Sequence, residues 1–155
     1  MTTTAVEIGR PAPDFTLTDQ HGQRVSLSDF RGRSSVLVVF YPFAFSGICT
    51  GELREIAEHS ESFAADDVQV VAVSCDPMFA LRAWAEQEGY DFPLLSDFWP
   101  HGQTARAYGV FDETKGMAVR GSFLVDADGA LRWSVVNGPG EARDLTAYRE
   151  AIAAI

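Results

Sequence analysis

Cys49 stands three residues after Ser46 and seven after Pro42, in the stretch Phe40-Tyr41-Pro42-Phe43-Ala44-Phe45-Ser46-Gly47-Ile48-Cys49-Thr50-Gly51-Glu52-Leu53. A cysteine attacks as its thiolate, and a thiolate is favoured at the start of a helix. There the first N–H groups lack internal partners and the helix dipole places positive partial charge. So placed, and with its sulfur reachable from solvent, Cys49 is expected to be nucleophilic at neutral pH. Ser46 is spaced either to cap the helix or to hydrogen-bond the sulfur or its substrate, and Pro42 fixes the approach of the loop.

The flanking elements put Cys49 in that position. Ser35-Val36-Leu37-Val38-Val39-Phe40 is a continuous apolar run, which suits a strand buried on both faces. Beyond Gly47 the apolar residues Leu53, Ile56, Ala57 and Phe63 recur with helical period, predicting a helix to about Ala65. Val68-Gln69-Val70-Val71-Ala72-Val73-Ser74 is a second buried strand, stopped by Cys75-Asp76-Pro77. Strand, helix and strand then form a right-handed β-α-β unit.

Phe15, Leu17, Val25 and Leu27 alternate about the turn Asp19-Gln20-His21-Gly22 and predict an N-terminal hairpin. Later in the chain the pattern predicts a helix over 78–88 with Gly89 as its stop, an extended segment over 92–96, and a helix over 102–108. Strands over 118–125 and 130–136 flank the turn signal Asp128-Gly129, and a last helix runs over 142–155. The expected fold is α/β in one domain over 1–155: a mixed sheet, helices on both faces, and an added N-terminal β-hairpin. Ligands of such sheets bind beyond the carboxyl ends of the strands, where Cys49 falls and where Cys75 closes the neighbouring strand.

The formal charge of −10 argues against nucleic acid and anionic membranes as partners, since both select basic surfaces. The N-terminus has no basic region followed by an apolar one, and no run nears ~18 apolar residues, so the default expectation is a cytoplasmic protein. Two cysteines make neither a secreted disulfide framework nor a zinc spacing. His21, His59 and His101 carry no metal or catalytic pattern, and Asp126-x-Asp128-Gly129 reads as a turn, because the rest of a calcium loop is missing. With no Gly-rich phosphate loop, no organic cofactor is implied.

Pro42, Ser46 and Cys49 match the Pro-x-x-x-Thr/Ser-x-x-Cys signature of the peroxiredoxins, thiol peroxidases with an elaborated thioredoxin-like fold. The resemblance extends to Pro11-Ala12-Pro13-Asp14-Phe15-Thr16-Leu17, Phe92-Pro93-Leu94-Leu95-Ser96-Asp97 and Arg120-Gly121-Ser122-Phe123-Leu124-Val125-Asp126. Within the family, residues 43–49 and 96–102 look most like the actinobacterial alkyl hydroperoxide reductase E type. By this resemblance Arg120, opening a late strand, is the guanidinium that activates the thiol and stabilises the leaving oxygen. Glu52 complements the dipole of its helix, and the resemblance adds the role of orienting Arg120. The Cys49 N–H is expected as a donor to a bound peroxide.

Tyr41, Phe43, Phe45, Phe98 and Trp99 either pack in the core or line a pocket that accepts an alkyl chain. The resemblance also implies a homodimer meeting at Phe43, Phe45 and the segment Phe98-Trp99-Pro100. The implied reaction is reduction of hydrogen peroxide, an organic hydroperoxide or peroxynitrite through a Cys49 sulfenic acid. Some relatives resolve that acid with a cysteine five residues on, where this chain has Arg54, so it resembles a one-Cys enzyme. An external thiol is then required: mycothiol with a mycoredoxin, or a thioredoxin. Cys75 is either a small core residue or, within about 7 Å of Cys49 by Cα, a resolving cysteine. Other readings are a peroxide sensor or redox-regulated holdase using the same thiol. A disulfide reductase is disfavoured, because Ser46 and Glu52 occupy the positions of a Cys-x-x-Cys partner.

Overall fold

The structure, a computed structural model, describes residues 6–138 and 144–155. Among the described residues, nine strands occupy Thr16–Thr18 (β1), Arg24–Ser26 (β2), Ser35–Phe40 (β3), Val68–Ser74 (β4), Leu94–Ser96 (β5), Phe111–Asp112 (β6), Met117–Ala118 (β7), Arg120–Val125 (β8) and Leu131–Asn137 (β9). The α-helices among the described residues are Gly47–Glu58 (α1), Ser60–Ala65 (α2), Met78–Glu88 (α3), Gln103–Ala107 (α4) and Leu145–Ala153 (α5). Seven strands form one sheet in the order β2-β1-β5-β4-β3-β8-β9. β3, β4 and β5 run parallel, and the β1–β2, β1–β5, β3–β8 and β8–β9 pairs are antiparallel. The sheet is mixed as expected, and β1–β2 is the N-terminal hairpin.

Two apolar layers cover the sheet. Leu37, Val39, Val70 and Ala72 face α1, α2, α3 and α5 through Leu53, Phe63, Leu81, Trp84 and Tyr148. Val36, Val38, Val71 and Val73 face the other way, onto Phe15, Ala105, Tyr108 and Val110. Burial on both faces is why β3 and β4 read as unbroken apolar runs.

Two boundaries differ from expectation. The helix expected to run from Cys49 to about Ala65 breaks at His59. Its ring Nδ1 sits 2.9 Å from the Glu55 carbonyl, the acceptor that the His59 amide would take in a continuous helix. That amide donates to Ile56 instead. The strand expected over 118–125 is two strands. Val119 N donates to Val110 O at 2.8 Å, which folds β6–β7 back as a separate hairpin before β8 begins. The final helix is present as α5, capped by Asp144 through the Thr146 N–H at 2.9 Å, and its expected start at Ala142 lies outside the described residues.

Candidate active site

At the carboxyl end of β3 the chain leaves the sheet, with Tyr41 N donating to Val73 O at 3.1 Å, and turns through Pro42 into α1. Phe45 takes a left-handed conformation, φ 69°, and lets the chain reverse into the extended Ser46. Ser46 is the N-cap of α1: its Oγ accepts from Cys49 N at 3.4 Å, and its carbonyl accepts from Thr50 N at 2.9 Å. Of the alternatives for Ser46, the structure displays the cap. The Cys49 N–H, expected as a peroxide donor, is directed at Ser46 through this long bond.

Cys49 is the third residue of α1 and is fully buried, in the same apolar cluster as Tyr41, Ala44, Leu53 and Trp84. Solvent access to the sulfur, the condition set for its reactivity, is therefore not met in this conformation. Tyr41 and Leu53 pack with it, so this conformation shields the sulfur. Tyr90 donates its hydroxyl to Thr50 O at 2.9 Å and ties the first turn of α1 to the segment after α3. Burial pushes the Tyr90 hydroxyl up to about 12 and holds Tyr41 well above the usual range, so both stay neutral phenols beside the thiol.

Glu52 lies one turn beyond Cys49 on α1 and forms a buried ion pair with Arg120 Nη1, each side chain less than a tenth exposed. These partners are 68 residues apart in sequence, and the register joins them: Phe40 of β3 pairs with Gly121 of β8, so Arg120 falls beside the end of β3. Gly121 permits this fit, since a Cβ there would come within 2.9 Å of Val110. A buried guanidinium is stable only when paired, and Glu52 is its partner.

Pro42 and Arg120 share the wall of a cavity of about 330 Å³, completed by Lys115, Met117, Val119, Val136 and Asn137 together with Asp112. Its size suits a small organic ligand. None of those six additional residues was singled out from sequence. β6, β7 and the end of β9 converge here through strand pairing, which leaves no local motif. A larger hollow of about 620 Å³, bordered by Arg33, Asp126, Arg132 and Arg149, contains none of the expected site residues.

Of the two alternatives for the aromatics, Tyr41 takes the core. Tyr41 is a core residue against Trp84, ring centroids 5.4 Å apart, and Phe45 lies over the same indole at 6.2 Å. Phe43 and Phe45 are about half exposed, and Trp99, 80% exposed, borders a separate polar hollow with Thr16, Arg24 and Gln103. The β-alternation explains the split, because Tyr41 continues the inward face of Leu37 and Val39.

Cys75 is buried one residue past the end of β4. It continues the alternation of Val71 and Val73 and bonds to the Ala118 backbone, with Asp97, Asp76 and Arg106 nearby. Cys49 belongs to the other apolar layer, with Leu53 and Trp84. Burial first, then Asp97, pushes Cys75 up to about 11.

A capped cysteine at a helix start, beside a buried Arg–Glu pair on a mixed α/β sheet, defines a thiol-redox enzyme. Residues 8–134 match the model of the AhpC/TSA family. Alkyl hydroperoxide reductase E of Mycobacterium tuberculosis is 48% identical over 150 residues, covering 97% of this chain and 98% of that protein. Peroxiredoxin-2 of Rattus norvegicus is 39% identical over 140 residues, covering 84% of this chain and 69% of its own length. Among solved structures, Enterococcus faecalis AhpC has a TM-score of 0.87 at 33% identity, over 96% of this chain and 92% of that one. The peroxidoxin BcpB of Mycobacterium tuberculosis has a TM-score of 0.86 at 28% identity, over 97% and 98%. The chain belongs to the AhpC/TSA family, the peroxiredoxins. Within it, the chain is a thiol-dependent peroxidase similar to the alkyl hydroperoxide reductase E type.

Proposed function

We propose that Cys49 is the peroxide-reactive thiol of a one-Cys peroxidase acting on hydrogen peroxide, organic hydroperoxides and peroxynitrite. The buried Glu52–Arg120 pair, set one turn from Cys49 and opening onto the Pro42 cavity, is the observation that carries this reading. The Cys49 thiolate attacks the terminal peroxide oxygen and the O–O bond breaks. Sulfur keeps the attacked oxygen as sulfenic acid, and the leaving alkoxide takes a proton from solvent. Arg120 bears the charge that develops on the leaving oxygen, Glu52 holds the guanidinium in place, and Pro42 forms one wall.

A thiol then attacks the sulfenic sulfur and releases water, and a second thiol frees Cys49. The donor is external: mycothiol with a mycoredoxin, or a thioredoxin. Cys75 is unsuited to resolve the acid, because it is a buried thiol bonded to the Ala118 backbone whose burial and neighbour Asp97 favour the protonated form. Since Cys49 is buried, the donor reaches it when the first turn of α1 opens. The chain acts in the cytoplasm as one domain, and no helix among the described residues is long and apolar enough to cross a membrane. Phe43, Phe45 and the segment Phe98-Trp99-Pro100, with the exposed Ile48 beside the site, form the apolar surface of a homodimer.

Steady-state consumption of hydrogen peroxide and an alkyl hydroperoxide, with each thiol donor in turn, tests the reading. Many turnovers per protein are expected with at least one donor. A single stoichiometric oxidation with all donors would instead indicate a sensor.

A further inference from the structure

The loop that carries Pro42 and Ser46 is anchored by a carboxylate from another strand. Asp76 lies two residues past β4, and its Oδ2 accepts the Ala44 N–H at 2.8 Å, midway between Pro42 and Ser46. The same oxygen accepts the Ser74 hydroxyl at 2.7 Å, and Ser74 Oγ in turn receives the Asp76 N–H at 3.3 Å. The Asp76 carbonyl accepts Ser96 Oγ at 2.7 Å, and Asp97 N donates to Ser74 O at 2.8 Å, so β5 holds this turn in place. Ser74 is completely buried and Ala44 nearly so. The anchor is thus rigid, and it grips the loop beside its left-handed residue, Phe45.

From this geometry we infer that Asp76 is a positioning residue for peroxide reduction, acting through the Ala44 amide. The inference rests on the peroxidase reading. Arg120 is fixed by β8 and Glu52, whereas Pro42 reaches its place on a loop. Peroxide must lie between them with its O–O bond in line with the sulfur, and a shift of about 1 Å in such an alignment costs on the order of 100-fold in rate. The Asp76–Ala44 bond sets the Pro42 wall and the Ser46 cap relative to Arg120. A charged acceptor makes this a strong form of hydrogen bond.

The test compares wild type, Asp76→Ala and Asp76→Asn. The rate constant for peroxide with reduced protein is read by stopped-flow fluorescence, and that for iodoacetamide at Cys49 by mass spectrometry at the same pH. Alkylation requires the thiolate but no aligned peroxide. Asp76→Ala is expected to lower the peroxide rate about 10- to 100-fold while alkylation is unchanged or faster, because the loop loosens. Asp76→Asn keeps an oxygen for the Ala44 N–H and is expected within about threefold of wild type.

An Asp76→Ala rate equal to wild type would overturn the inference, as would an equal fall in both reactions. An Asp76→Asn protein that melts like wild type yet is as slow as the alanine variant would also overturn it, and this variant decides the matter if the alanine one does not fold. A wild type inert to peroxide would instead sink the peroxidase reading itself.

Discussion

Cys49 and Cys75 follow adjacent parallel strands, β3 and β4, at the same end of the sheet, and both are buried, yet different groups surround them. Cys49 is the third residue of a capped helix, and Glu52, paired with the Arg120 guanidinium, lies one turn further along it. Cys75 lies before α3 rather than within a helix, with the carboxylates of Asp97 and Asp76 and the more weakly acting Arg106 around it. At about 11, only roughly one Cys75 in ten thousand is thiolate at neutral pH. Burial alone therefore does not decide which cysteine reacts. Both thiols lose solvent, and the difference lies in what replaces it.

The largest effect that sharpens this contrast is loss of the nucleophile. Cys49→Ser is expected to abolish peroxide consumption, while Cys75→Ala keeps it within about twofold, both read as turnover with excess thiol. A Cys75→Ala protein that loses most turnover would break the comparison. Next is Arg120→Ala, expected to slow peroxide reduction about 100- to 1,000-fold in single-turnover kinetics. Glu52→Gln is expected to cost about 10-fold, and combining it with Arg120→Ala should add nothing, because Glu52 acts through the guanidinium.

The contrast also has a pH signature. In a Cys49→Ser protein, alkylation of native Cys75 is expected to have its midpoint near 11, against about 9 in denaturant. The native thiol holds its proton more tightly than the unfolded one. This contribution to stability is thus complete below about pH 9 and lost as pH rises through about 11. A native midpoint near 9 would remove the distinction between the cysteines. The smallest effect is at the cap: Ser46→Ala is expected to cost about 0.5–1 kcal/mol in urea unfolding, the low end for a cap, given its 3.4 Å bond.

Much of this was legible in sequence. The strands at 35–40 and 68–74 are uniformly apolar because both faces are covered, and Gly89, at φ 75°, ends α3 as its type implies. Pro42, Ser46, Cys49, Glu52 and Arg120 could be singled out, the first three by local spacing and Arg120 by family resemblance. What was hidden depends on tertiary placement. His59 interrupts a helix by a side-chain bond that periodicity cannot register, and the β6–β7 hairpin arises where the Val119 amide turns to Val110. Burial of Cys49 needs Tyr41 and Leu53 packed against it, and Cys75 could not be assigned to a face before the strand alternation was known. The cavity walls from Met117, Val119 and Val136 carry no motif, since distant strands bring them together.

The most direct test is to oxidise reduced protein with one equivalent of hydroperoxide and record its intact mass, with and without a sulfenic-acid trap, mapping the modified residue. The expected result is a trapped sulfenic acid on Cys49 with Cys75 untouched. Loss of two hydrogens with a Cys49–Cys75 link would make Cys75 the resolving thiol and contradict the one-Cys reading, and no reaction at all would contradict the role given to Cys49.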